Sequence, residues 1–295
     1  MNCPLCKKAD HDEWCKVGKY SILICKECGL GITAPFPTEK ELTEANQEIY
    51  QVEQRIKTYL SRRSYFEKRY RDNITNIKRF KSEGKLLDVG CNIGLFLNVA
   101  RDEGFSVIGV ELNKGCAQYG VNNFKLDIRS DYLENIAFDD QSIDVVTLFD
   151  LLEHVPDIHA LLTEIKRILK KDGVLVIQSP NIQSLMARLT RSSWNWLTPP
   201  DHLYHFSPAT LEMILKEHGF DIRRLNTWEP AQDFSDNLLS AFIPSPFIRK
   251  MLIGMNQRTH IFAFPVLLIQ KLWWNMQRGG LIELYAVKTG ENNYP

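Results

Sequence analysis

The chain of 295 residues carries 36 basic and 36 acidic side chains, for a formal net charge of zero, and 44% of it is hydrophobic. That length supports one large core plus a small accessory domain. The balanced charge argues against a nucleic-acid partner, because binding phosphates ordinarily requires a basic excess.

The elements follow in chain order. Residues 1–38 are rich in cysteine and turns. Cys3-x-x-Cys6 and Cys25-x-x-Cys28 are separated by eighteen residues. Four cysteines spaced as two such knuckles predict a tetrahedral Zn2+ with a closed thiolate shell, a structural role. So short a segment has little core, and metal would supply the missing folding energy. Cys15 is read as a bystander. Seven cysteines without an apparent secretion signal favour metal over disulfides and point to a reducing cytoplasm.

Residues 39–80 form a polar, helix-forming linker or cap. Its basic character continues to residue 85: positions 55–85 hold eleven Lys/Arg and three Asp/Glu. Residues 81–229 alternate short apolar runs with helical patterns. Strands are predicted at Lys85–Val89, Ser106–Val110, 124–128, Ile143–Phe149, 174–178, 221–227 and Leu281–Lys288. Helices are predicted at 95–103, 114–119, 158–170 and 208–218. Lys170-Lys171-Asp172-Gly173 reads as a helix stop. The alternation implies a mostly parallel sheet covered on both faces. Residues 230–295 are an apolar, aromatic insertion followed by the last strand. Within them, residues 241–275 could lie on a membrane, cap a pocket or form a dimer face. The longest apolar run, 261–269, is interrupted by Pro265 and is far short of the roughly 18 residues of a membrane span.

The most specific motif is Asp88-Val89-Gly90-Cys91-Asn92-Ile93-Gly94, a strand entering a glycine turn from which a helix opens. Open α/β sheets bind ligands in the crevice beyond the carboxyl ends of their strands. Uncommitted N–H groups at the helix start would favour an anion. Glu111 ends the next strand, 21 residues after Gly90, where a carboxylate can accept from both ribose hydroxyls. Leu112 follows it. The Gly90-x-x-x-Gly94 spacing, with Asn92 in place of a middle glycine and Asp88 before the loop, disfavours a dinucleotide pyrophosphate. It suits S-adenosylmethionine (SAM) better than NAD.

These residues resemble the D-x-G-C-G-x-G loop of the class I SAM-dependent methyltransferases. The resemblance extends to Phe138-Asp139-Asp140-Gln141-Ser142-Ile143-Asp144, to Leu151-Leu152-Glu153-His154-Val155, and to His202-Leu203-Tyr204-His205-Phe206. It implies a seven-stranded Rossmann-like methyltransferase fold behind a small N-terminal zinc ribbon. It also implies that Asp131 and Tyr132 border the adenine and that Phe149 and Asp150 border the methionine moiety. Asn92 departs from the family's glycine; Asn tolerates the left-handed region, so the loop should persist. Residues 20–37 resemble the ribbon that precedes some bacterial methyltransferases, sugar C-methyltransferases among them.

A hydroxyl acceptor needs a base, and a near-neutral pKa points to histidine. His154, His202 and His205 are the candidates, the last two among the aromatics Trp194, Trp196, Tyr204 and Phe206. The expected activity is methyl transfer from SAM to a small molecule: a sugar, a quinone-like phenol or a lipid-linked glycan precursor. The acceptor could be anionic, and O-methylation is favoured over C-methylation. The alternatives are a SAM-binding module without turnover and a nucleic-acid methyltransferase.

Overall fold

The computed structural model describes residues 1–38, 40–42, 49–243, 245–259 and 273–289. The apolar run 261–269 therefore lies outside the described residues. The chain divides into two compact units. The first comprises Met1–Pro37, Gln178–Ile214 and Leu225–Leu284; the second comprises Thr38–Ile177, Leu215–Arg224 and Tyr285–Pro295.

The first unit opens with a hairpin of β1 (His11–Val17) and β2 (Tyr20–Cys25), turned at Gly18 with φ +60°. β3 (Gly31–Ala34) pairs antiparallel with β2, and Gly31 of β3 pairs in turn with His205 of β9 (Tyr204–His205). A β-carbon at Gly31 would lie 2.7 Å from His205 Cβ, so only glycine permits this approach. The four-stranded sheet thus joins the cysteine segment to chain about 170 residues away. Ile22, Ile182, Met186, Trp194, Leu197 and Phe234 form the core of this unit. The unit also holds α6 (Leu185–Thr190), α8 (Ala231–Phe242) and α9 (Pro246–Thr259).

The seven-stranded sheet runs in the order β10-β11-β8-β7-β4-β5-β6. Its strands are β4 (Lys85–Val89), β5 (Ser106–Val110), β6 (Ile128–Arg129), β7 (Ile143–Phe149), β8 (Leu169–Pro180), β10 (Phe220–Trp228) and β11 (Leu281–Lys288). β4 pairs in parallel with β5 and β7, and β5 with β6. In the second unit, α1 (Ile49–Ser61), α2 (Arg63–Ile77), α3 (Leu95–Asp102), α4 (Lys114–Phe124) and α5 (Ile158–Ile168) pack around these strands. α7 (Pro208–Glu217) precedes β10. The side chains of Asn113 and Asp157 accept amides in the first turns of α4 and α5. Leu161, Leu162, Ile165 and Ile168 form the buried face of α5, as their spacing predicts.

Two expectations are corrected. Residues 124–127 are not strand: α4 continues to Phe124, and Lys125 then turns left-handed at φ +57°, leaving a two-residue β6. The stop at 170–173 does not end a helix either. α5 ends at Ile168 because Leu169, fully buried, already has the extended backbone of β8. Lys170 turns aside to place Nζ 2.8 Å from both Asp144 carboxylate oxygens.

Candidate functional site

The crevice at the carboxyl end of β4 is built by backbone close approach. Gly90 and Gly94 both have φ +76°, and Asn92 takes φ +50°, the left-handed conformation anticipated for it. A β-carbon at Gly90 would lie 2.8 Å from Leu151 Cδ1, so the chain leaving β7 sits directly against the loop. Asp150, at the turn out of β7, also holds a positive φ of 51°, a strained conformation for a non-glycine residue.

The amides of the loop itself, ahead of the first turn of α3, are committed within the protein. Gly90 and Cys91 N–H donate to the Val110 carbonyl at 2.8 and 3.1 Å, and Gly94 N–H donates to the Cys91 carbonyl at 2.9 Å. Ile93 N–H donates to the Asn92 side-chain oxygen at 2.8 Å. Asn92 N–H donates to Glu111 Oε2, also at 2.8 Å. The other Glu111 oxygen accepts from Asn113 N–H at 2.7 Å. The departure from glycine at position 92 thus provides an internal acceptor that a glycine lacks, and the loop saturates itself.

Glu111 is half-buried. Burial pushes its carboxyl above the usual range, while the Asn113 and Asn92 amides and the positive charge of Arg55 pull it back. The Leu112 amide also contributes to holding this carboxylate, and a carboxylate's two oxygens offer about four acceptor sites, which leaves room for a hydroxyl donor. Asp88 is buried, and its Oδ1 accepts from Thr147 Oγ1 at 2.6 Å; the two residues are register partners on β4 and β7. Burial raises the Asp88 pKa to about 7; the Thr147 bond opposes that rise and the charge of Glu111 adds to it.

Leu112 and Tyr132 are exposed, at 39% and 52%. Asp131 Oδ1 accepts from Tyr132 N–H and Asn135 Nδ2, both at 2.7 Å, which lowers its pKa. Ser130 Oγ donates to the Glu111 carbonyl at 2.9 Å, tying this loop to the end of β5. Phe149 packs edge-on against Phe96 with ring centroids 4.8 Å apart. Cys91 and Cys116 are buried, as expected of packing residues.

α1 and α2 lie in the segment read as a helix-forming basic linker or cap; what that reading did not include is their apolar face. Val52, Ile56, Tyr59, Phe66 and Tyr70 pack on Ile93, Leu95 and Cys116, directly behind the loop. Tyr59 stacks on Phe66 at 4.8 Å, and Tyr70 meets Phe96 at 5.4 Å. Burial, with the charge of Asp150, pushes the Tyr59 phenol up to about 12. The field of Arg55 reaches both Tyr59 and Glu111. Val52, Ile56 and Tyr59 recur at helical spacing within this basic segment, which is the sequence signal for that face.

His154 closes the single-turn helix Leu152–His154 after β7 and is half-buried. His202 and His205 belong to the first unit, where their rings lie 6.4 Å apart. Thr33 Oγ1 donates to the His202 carbonyl at 2.6 Å and lies 3.1 Å from His205 Nε2. A hydroxyl has one proton, so His205 must donate from Nε2 and keep its lone pair on Nδ1. Burial lowers the His205 pKa to about 3, which keeps the ring neutral at physiological pH. Trp194, Tyr204 and Phe206 are buried.

The four cysteines converge. Cys3 and Cys28 Sγ lie 3.5 Å apart, Cys6 and Cys25 Sγ 3.4 Å apart, and all four sulfurs lie within 4.8 Å of one another. Two similar turns deliver them. Lys7 N–H donates to Cys3 O and Gly29 N–H to Cys25 O, each at 2.9 Å, and Lys7 and Gly29 both have positive φ. Four sulfurs bound to zinc at about 2.3 Å are separated by roughly 3.8 Å, so the cluster fits that ion.

A family model described as a methyltransferase domain matches residues 61–225. The ubiquinone biosynthesis O-methyltransferase of Pelagibacter ubique is 27% identical over 179 residues, covering 54% of this chain and 74% of that protein. The enzyme of the same name from Actinobacillus pleuropneumoniae is 31% identical over 107 residues, covering 33% of this chain and 46% of that protein. Among solved structures, a SAM-dependent methyltransferase from Archaeoglobus fulgidus superposes with a TM-score of 0.52 at 24% identity. It covers 77% of this chain and 94% of that one, and speaks to the fold.

Proposed function

Because the chain belongs to the class I SAM-dependent methyltransferases, whose domain model covers more than half of it, we propose that it methylates a hydroxyl on a small-molecule acceptor. A quinone-like phenol comes first; a sugar or lipid-linked glycan precursor comes next. The names of the relatives in Pelagibacter and Actinobacillus support O-methylation. Bound SAM supplies a methyl group already activated by its sulfonium. In this reading Glu111 accepts the ribose hydroxyls, with Leu112, Asp131 and Tyr132 beside the adenine. Asp88, Phe149, Asp150 and the turn of Gly90, Cys91, Asn92 and Gly94 border the methionine moiety. With the loop amides committed internally, Arg55 is the cation we assign to the methionine carboxylate.

The base we assign is His154. The observation that carries this is its position, half-buried one turn beyond β7 in the same unit as Asp88 and Glu111. His205 is the weaker candidate, since a pKa of about 3 makes it a poor proton acceptor. We assign the four cysteines to a structural Zn2+ that fastens β2 and β3, and through β3 the strand bearing His205.

The test is methyl transfer from labelled SAM to a panel of catechol-like phenols, nucleotide sugars and lipid-linked sugars. His154→Ala should lower kcat by roughly 100-fold or more with SAM affinity intact. Methylation of the panel at an unchanged rate by His154→Ala would remove it as the base, and transfer to none of the hydroxyls would remove the acceptor class.

A further inference from the structure

Within the first unit, α9 is fastened to α8 by a polar hook. The fully buried Asn256 donates to Ser235 Oγ and to Asp236 Oδ1, both at 2.7 Å. Gln232 donates to the same Asp236 oxygen at 3.0 Å, so the contact is fully hydrogen-bonded. Asn256 therefore fixes which face of α9 is inward. At 3.6 residues per turn, Phe247 and Met251 fall on the other side, with Ile248 and Met255 at the flank between. They are exposed, Phe247 by 80% and Met251 by 56%, and Phe242 at the end of α8 is exposed by 66%. Lys250 flanks them and is also exposed. A polar residue is thus buried on the inward side while Phe247 and Met251 face water.

The composition of this part of the chain is equally one-sided. Residues 237–282 contain no Asp or Glu but five cations, Arg249, Lys250, Arg258, Lys271 and Arg278, in a protein whose charges otherwise balance. An exposed apolar face of this size calls for an apolar partner. An acid-free basic segment calls for an anionic one. A bilayer interface with anionic headgroups offers both together. A second copy of the chain would set cations against cations and is disfavoured by the same charges. No helix among the described residues is long and apolar enough to cross a membrane, so the contact is one of lying on the surface.

We propose that the outward face of α9, centred on Phe247 and Met251 and flanked by Lys250, docks the protein on an anionic lipid surface. The test is sedimentation of the full-length protein with vesicles of phosphatidylcholine alone or mixed with phosphatidylglycerol. Binding to the mixed vesicles is expected to exceed binding to the neutral ones and to weaken as salt is raised. The double variant Phe247→Ser with Met251→Ser should lose roughly tenfold or more in partitioning. Lys250→Glu should lose roughly fivefold or more, in line with the contribution of one basic residue near such a surface. Both variants change exposed positions, and unchanged melting and SAM affinity would confirm an intact fold. Equal or absent binding to the two kinds of vesicle overturns the proposal, as does a double variant that binds as well as the parent. So does ultracentrifugation showing a dimer that the double variant dissolves, without vesicle binding.

Discussion

The cysteine cluster of the first unit and the crevice of the second each present a ligand set, and they come to it in opposite ways. The crevice is shaped by strand register and hydrogen bonds among the protein's own residues. β4 is buried, Asp88 and Thr147 are fixed by strand register, and every loop amide from Gly90 to Gly94 has an internal acceptor. The cysteines are delivered by two turns at the edge of a small sheet, with four sulfurs facing one another. A site held by a core can discriminate between ligands, whereas a site held by its ligand makes that ligand part of the fold.

The largest expected effect breaks the comparison on the metal side. Purified protein should contain one zinc per chain, and Cys25→Ser with Cys28→Ser should contain none. Structural zinc contributes on the order of 10 kcal/mol in small domains. The doubly substituted protein should therefore become sensitive to limited proteolysis within residues 1–37 while still binding SAM. Continued resistance after complete chelation would show that the sheet stands without metal.

The next effect concerns two acids whose carboxyls desolvation pushes upward. Glu111 is held by two short backbone hydrogen bonds. Glu229, in the first unit, has the Asn237 amide at 3.3 Å and a bond from Gly280 N–H. Burial, with the charge of Asp233, raises the Glu229 pKa from 4.5 to about 8. The folded protein then keeps a proton that the unfolded chain releases. Stability attributable to this residue is full below about pH 4.5, falls as pH rises, and levels off above pH 8. Glu229→Gln should abolish that slope and stabilise the protein by up to roughly 3 kcal/mol at pH 8, with little change at pH 4.5. Melting curves at the two pH values decide it; a parallel shift at both would place the raised pKa elsewhere.

The smallest effect sharpens the crevice side. Asp88, with a pKa of about 7, is half neutral at physiological pH. A cationic ligand favours its carboxylate, so SAM affinity should increase as pH rises through 7, by about tenfold between pH 5.5 and 7.5. Calorimetry in buffers of different ionisation enthalpy should detect the released proton. Asp88→Asn should flatten the profile, and a profile that keeps its slope in that variant would exclude Asp88 as its source.

Much of this was legible from residue order because the signals were local. Glycine and Asn92 at positive φ, the alternating strands and the cysteine spacing each act through neighbours a few residues apart, and β4, β5, β7 and β11 fall at the predicted bounds. What local pattern could not carry was partnership across distance. The pairing of β3 with β9 sets Thr33 against His205 and so fixes which ring nitrogen bears the proton. Helices α1 and α2, read as a charged linker, turn an aromatic face to the loop. Asn92 and Glu111 take up the Ile93 and Asn92 amides within the loop. In each case the deciding quantity is desolvation or hydrogen-bond satisfaction, and both depend on which distant groups the fold brings within about 3 Å.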